Sequence, residues 1–184
     1  MKLNVPNFLT ILRILAIPAL VVILLSDFRG WEIAGFCVFL FASLTDLLDG
    51  YWARRNKQIT VFGQLLDPIA DKLLIASAII CLVGRHIIPA WMAVIIIGRE
   101  IAVTGFRAIA SSRGINIPAS GLGKLKMTLE IVTLCLLILS PIRLGPLPLR
   151  LLSVLGLWLV VIVAVASATE YYVRFGATVL SKDV

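Results

Sequence analysis

Acidic side chains are scarce in this sequence: ten among 184 residues, against 17 Lys and Arg. Cysteine numbers three and histidine one. Charged residues of all kinds make up only 15%, while 60% of the chain is hydrophobic and the mean hydropathy is +1.05. Each shortage excludes something. Cys37, Cys81 and Cys135 are too few and too far apart for a disulfide scaffold, and their apolar neighbours mark them as small packing residues. His86 falls in a short loop far from the acidic residues, which argues against a catalytic role. So much apolar surface rules out a disordered tail. A soluble domain averages roughly 45–50% apolar and about 25% charged residues, and this chain departs from both in the same direction. The basic residues give a pI near 9.8, yet they are scattered between apolar runs instead of forming one stripe, so no nucleic-acid partner is expected.

What is there in abundance is long apolar runs. A spanning helix needs roughly 20 mostly apolar residues. Six such segments fit, near 8–25, 32–52, 63–83, 89–110, 122–140 and 150–171. Short polar or Pro/Gly-marked turns separate them, and no linker is long enough to divide the chain. The expectation is an all-α, polytopic membrane bundle of six transmembrane helices, one domain over residues 1–184. The first segment is expected to be a retained anchor, since only Lys2 precedes it and no small-residue cleavage site follows.

An even helix count puts both termini on one side. Lys2, Arg54, Arg55, Lys57, Arg107, Arg113, Lys124, Lys126, Arg174 and Lys182 fall on that side, against Arg29, Arg85, Arg143 and Arg150 on the other. That asymmetry predicts cytoplasmic termini and an inner-membrane, multi-pass protein. Trp31 and Trp91, at the starts of helices two and four, are expected at the interface.

Four of the ten acidic residues form two close pairs, Asp46/Asp49 and Asp67/Asp71, on either side of the first cytoplasmic loop. Spacings of three and four put each pair on one helical face. The short loop makes the two helices neighbours, so four carboxylates can converge. An Asp at membrane depth costs roughly 2.5–3.5 kcal/mol on insertion scales, and four like charges repel, so something positive must sit among them. Hard divalent cations, Mg²⁺ or Mn²⁺, prefer such oxygens, and two metals form a known clamp for phosphoryl chemistry. Pairing with Arg54, Arg55 and Lys72 is the plainer alternative. Pro68 is expected in the first turn of helix three, where a missing N–H costs little, with the helix dipole acting on Asp67.

Asp46-Leu-Leu-Asp49-Gly50-Tyr-Trp-Ala53-Arg54, eight residues, then Gly63-Gln-Leu-Leu-Asp67-Pro-Ile-Ala-Asp71 resembles in full the D-x2-D-G-x2-A-R-x8-G-x3-D-x3-D signature of the CDP-alcohol phosphatidyltransferase family. The resemblance implies two bound divalent cations, on Asp46, Asp49, Asp67 and Asp71, with Asp71 also the base. It implies contacts from Gly50, Arg54 and Thr60 to the CDP donor, with Asn7 and Thr10 as further cytidine-side contacts. Gly50, Gly63 and Ala53 present small surfaces that let helix backbone approach a nucleotide, although close helix packing needs the same residues. A homodimer is implied as well.

The signature does not name the acceptor. Arg99, Arg107, Arg113, Lys124 and Lys126 make the second cytoplasmic region basic. Arg99 lies mid-segment, where a charge is expected to face the bundle interior, and Glu100 is the candidate to pair with it or orient it. Converging cations suit a phosphate dianion, hence an alcohol already phosphorylated. The strings Asn4-Val-Pro6-Asn7-Phe-Leu-Thr10-Ile-Leu-Arg13, Gly98-Arg99-Glu100-Ile and Gly123-Lys124-Leu-Lys126 resemble the family members that pair CDP-diacylglycerol with glycerol 3-phosphate. Met127, standing between Lys126 and Thr128, departs from their pattern. An inositol phosphate acceptor is the alternative within the family, and a divalent-cation transporter the alternative outside it.

Overall fold

The computed structural model describes the backbone of residues 5–56, 61–115, 121–142 and 148–180, and the side chains of 10–45, 68–115, 123, 125–142 and 148–176. The described residues form six helices: α1 (Val5–Leu25), α2 (Trp31–Asn56), α3 (Val61–Gly84), α4 (Ala90–Ser112), α5 (Gly121–Leu139) and α6 (Leu149–Leu180). Each grows from one of the apolar runs. The exposed surface is apolar too, with Val173 79%, Val94 70% and Ile101 67% exposed. By length and composition, the described stretch Leu149–Gly176 of α6 could cross a membrane.

Which helices touch explains where the site lies. α3 packs on α4, α4 on α6, α6 on α5, and α5 back on α3, closing a ring of four. Among the described residues α4 and α5 do not pack on one another. α1 lies against both α2 and α3, more extensively than those two touch each other, and α2 also leans on α5. One end of the ring is sealed by a core of Leu24, Phe39, Leu82, Ile96, Ile138 and Val160, all essentially unexposed. There Arg85 ties elements together. Its Nε donates to the Leu24 carbonyl and its Nη2 to the Ser26 carbonyl at 2.6 Å, and its guanidinium sits 3.8 Å above the Trp31 ring. The Leu24 carbonyl is one that the end of α1 leaves without a helical partner. Trp31 is therefore buried under an arginine, whereas Trp91 is half-exposed beside Trp158.

Four expectations need correction. α6 continues to Leu180, well past 171: polar Thr169 and Glu170 end the apolar run but not the helix. Tyr171 and Phe175 then pack with Val103, Phe106 and Ala110 of α4 as a second, smaller core. α3 begins at Val61, so Pro68 stands inside the helix and removes one backbone bond there. For the same reason Asp67 lies beyond the first turn, where the dipole has faded. Cys37 is exposed, unlike buried Cys81 and half-buried Cys135. His86 is the exposed loop residue expected, and with φ 57° it also caps α3, its N–H bonding to the Val83 carbonyl and that of Ile87 to the Leu82 carbonyl.

α5 and α6 meet closely at Gly156, where a Cβ would lie 2.8 Å from Thr133 Oγ1 and 3.2 Å from its Cγ2. Gly156→Leu should cost about 1–3 kcal/mol by overpacking, read as a fall of several degrees in the Tm of detergent-solubilised protein. Gly98→Ala, whose added methyl meets nothing within 4 Å, should leave the Tm unchanged or slightly raised.

Candidate active site

The hole in the ring of α3, α4, α5 and α6 is a cavity of about 260 Å³. Asp71 enters it from α3, Arg99, Glu100 and Arg107 from α4, Lys126 and Glu130 from α5, and Tyr171 from α6. These positions meet because the first halves of α3 and α5 lie beside the second halves of α4 and α6. The far halves carry the apolar seal, so the polar groups collect at one end.

Within the cavity wall the charges are paired in a chain. Arg99 Nη1 donates to Glu100 Oε1 at 2.5 Å, and its Nε and Nη2 donate to Ser167 Oγ on α6 at 3.2 and 2.8 Å. Ser167 is fully buried and donates in turn to the Ala164 carbonyl at 3.0 Å. The same Glu100 Oε1 accepts a bond from Lys126 Nζ at 2.5 Å, and Lys126 Nζ donates again to Glu130 Oε2 at 2.6 Å. The Lys126 side chain is 2% exposed and that of Glu130 6%. Burying isolated charges would cost several kcal/mol each, which this pairing offsets. A guanidinium has five N–H donors, and three bonds hold Arg99 in place, leaving it donors for a ligand.

The cavity thus unites Asp71 with three of the five basic residues expected around a phosphate. Arg113 instead closes α4 as its C-cap residue, away from the cavity wall. Lys124 lies on α5 with its side chain outside the described residues. Thr10 is buried on α1 and does not line the cavity. Asp46, Asp49, Gly50, Ala53 and Arg54 lie on α2, Gly63 and Asp67 on α3, and Asn7 on α1. Their side chains fall outside the described residues, as does Thr60 altogether. Among the described residues no three His, Cys, Asp or Glu side chains cluster as metal ligands. Glu100 was foreseen as the partner of Arg99, but Glu130, Ser167 and Tyr171 were not. Glu130 carried a readable signal, a carboxylate four residues after Lys126 inside an apolar run. The described wall holds four basic side chains (Lys72, Arg99, Arg107, Lys126) and three acidic ones, so it is far less positive than the basic residues alone suggested.

Residues 3–176 match the family model described as CDP-alcohol phosphatidyltransferase. The chain is 39% identical to the CDP-diacylglycerol–glycerol-3-phosphate 3-phosphatidyltransferase of Bacillus subtilis (strain 168), over 92% of this chain and 93% of that one. It is 34% identical to the protein of the same name from Rickettsia bellii, with the same coverage. In fold it is similar to a Mycobacterium tuberculosis phosphatidylinositol phosphate synthase. The form with CDP-DAG bound superposes with a TM-score of 0.65 at 23% identity, covering 92% of this chain and 84% of that one. The apo form gives 0.63 at 25% identity, with 92% and 87% covered.

The Lys126–Glu130 pair should behave as a coupled unit. Lys126→Met leaves Glu130 without its cation and should cost about 3–5 kcal/mol. Adding Glu130→Met should recover part of that, with a coupling energy of about 1–3 kcal/mol in a double-mutant cycle of unfolding. Additive losses would mean that the two side chains do not interact.

Proposed function

The chain belongs to the CDP-alcohol phosphatidyltransferase family, and we propose that it transfers the phosphatidyl group of CDP-diacylglycerol to glycerol 3-phosphate, giving phosphatidylglycerophosphate and CMP. The observation that carries this reading is one cavity holding both Asp71, the last residue of the signature, and the cations Arg99, Arg107 and Lys126. A base and a phosphate-binding group at one place suit an acceptor that carries a hydroxyl and a phosphate together. The named relatives at 39% and 34% identity support glycerol 3-phosphate over inositol phosphate, the product class of the more distant structural neighbours.

The reaction then divides among the residues as follows. Asp71 accepts the proton of the attacking hydroxyl. Arg99, held by Ser167 and Glu100, presents its remaining N–H donors to the acceptor phosphate as a preorganised fork, with Arg107 beside it. Lys126 shares its charge with two carboxylates and so contributes less to the phosphate than Arg99; Lys124 completes the basic set, while Arg113, the C-cap of α4, stands apart from it. Asn7, Thr10, Gly50, Ala53, Arg54, Thr60 and Gly63 hold the CDP donor. Asp46, Asp49, Asp67 and Asp71 would hold two divalent cations, Mg²⁺ or Mn²⁺. The donor set fits them: all four are hard carboxylates, and Asp71 opens on a polar cavity. Such cations supply neutralisation of the donor pyrophosphate. Positioning and charge complementarity account for most of the acceleration.

In this reading all six helices cross the inner membrane, with the termini and the cavity towards the cytoplasm. The apolar exterior, the length of α6 and the distribution of basic residues support it. A hydrocarbon setting also accounts for why charges inside the helices are turned inward, Lys126 and Glu130 in the ring and Arg13 on α1. A cation transporter is disfavoured because a conduction path needs polar groups through to the far face, and the far end is closed by Leu24, Leu82 and Ile138, each unexposed.

Purified protein with CDP-diacylglycerol and Mn²⁺ should release CMP with glycerol 3-phosphate and stop when EDTA is added; release with inositol phosphate or serine alone would overturn the acceptor assignment. Asp71→Asn should lower kcat by about 10²–10⁴-fold. Arg99→Ala should raise the KM for glycerol 3-phosphate roughly tenfold or more while sparing that for the lipid donor. The opposite split would assign Arg99 to the donor.

A further inference from the structure

Glu130 is more than the counter-ion of Lys126. Its Oε2 accepts the Lys126 bond at 2.6 Å, but its Oε1 is buried with no hydrogen-bond partner. The residue lines the cavity that holds Asp71, Arg99 and Arg107, and the Asp71 carboxylate is near enough to act on its charge. On its other side the surroundings turn apolar, with Ile79, Ile96, Leu134 and Leu137. A carboxylate oxygen left buried without a donor is destabilising. Neutralising Lys126 accounts for one oxygen of Glu130 and leaves the other unexplained.

An ionised carboxylate oxygen only accepts hydrogen bonds. It cannot serve a phosphate, which it would repel. What it matches is a donor, and in a cavity already furnished with cations for a phosphate and a base for a reacting hydroxyl, the remaining donor is a second hydroxyl. Glycerol 3-phosphate carries three recognisable groups: the phosphate, the terminal hydroxyl that attacks, and the hydroxyl on the middle carbon. The wall offers three matching side chains: the arginines, Asp71 and Glu130, whose unpartnered Oε1 is buried and meets a hydroxyl once the carboxylate turns toward the cavity. Resting on the transferase reading above, we propose that Glu130 is a specificity residue, whose Oε1 accepts a hydrogen bond from the non-reacting hydroxyl of the acceptor while its Oε2 holds Lys126 in place.

A group that hydrogen-bonds a substrate hydroxyl rejects the analogue lacking it, because the buried partner is then left unpaired. The probe is 3-hydroxypropyl phosphate, which keeps the phosphate and the terminal hydroxyl and lacks the middle one. CMP release by the purified full chain, with Mn²⁺ and CDP-diacylglycerol, gives kcat/KM for each acceptor. The wild type should favour glycerol 3-phosphate by roughly tenfold or more. Glu130→Met keeps the length of the side chain without its oxygens, and Glu130→Ala opens the site to water. In whichever of the two is recovered folded, the preference should shrink to about twofold or less, with the KM for the lipid donor unmoved. Glu130→Gln, which keeps a hydrogen-bonding group in place, should retain a clear preference. A wild type that uses both acceptors equally would overturn the assignment. So would a Met or Ala variant in which both rates fall in proportion, the mark of a residue acting only through Lys126. Absence of CMP release with glycerol 3-phosphate in the wild type would overturn the transferase reading itself, and this assignment with it.

Discussion

The Lys126 ammonium, held between Glu100 of α4 and Glu130 of α5, is the contact on which the rest of the polar end depends. α4 and α5 do not pack on one another among the described residues. Each leans instead on α3 and α6, and the space left between them is the cavity. An ion pair reaching from Glu100 to Lys126 ties the two helices across that space. Apolar side chains able to do the same would have to fill the gap, and the cavity would close. A long cationic side chain joins the helices while leaving a polar wall behind it.

Such a solution is costly in principle, since desolvating several charges can outweigh their attraction. The chain limits the cost by sharing. Glu100 Oε1 takes both Arg99 and Lys126, and Ser167 takes two donors of Arg99 while giving its own hydrogen to the helix backbone. The network therefore links α4, α5 and α6, and Asp71 faces it from α3. A stability-driven design would replace it with packed hydrocarbon. Its persistence in a bundle whose other end is closed by Leu, Ile and Phe side chains is the physical sign of a site. Arg99 is fixed by the same network, with three of its donors bonded to Glu100 and Ser167.

Much of this was legible in the residues. Apolar runs marked five of the six helices to within about four residues, and the sixth by its start. α6 was cut short because hydropathy reports solvent preference, whereas helix continuation depends on backbone compatibility and on Tyr171 and Phe175 finding neighbours on α4. Pro68 was placed in the first turn of α3 because a proline costs little there, whereas the helix carries it in its interior. Arg99, Arg107 and Lys126 were identified as a basic group, but their availability was not. Arg99 and Lys126 look alike as isolated charges in a string. Only the positions of Glu100 and Glu130 separate a guanidinium with donors to spare from an ammonium already engaged.

The sequence alone determined the class of chemistry. The spacing of eight signature positions is a local property, carried by two helices joined by a short loop, and needs no knowledge of what packs where. Composition likewise limited where charge could go, since a chain 60% hydrophobic with ten acids has few places to put it. Tertiary structure alone decided which of those charges meet. Asp71, Glu100, Lys126 and Ser167 are spread over nearly a hundred residues of chain. They become neighbours because four helices close a ring whose two unpaired members stand apart. Charge pairing across that gap is set by helix positions in three dimensions, which no periodicity along the chain encodes.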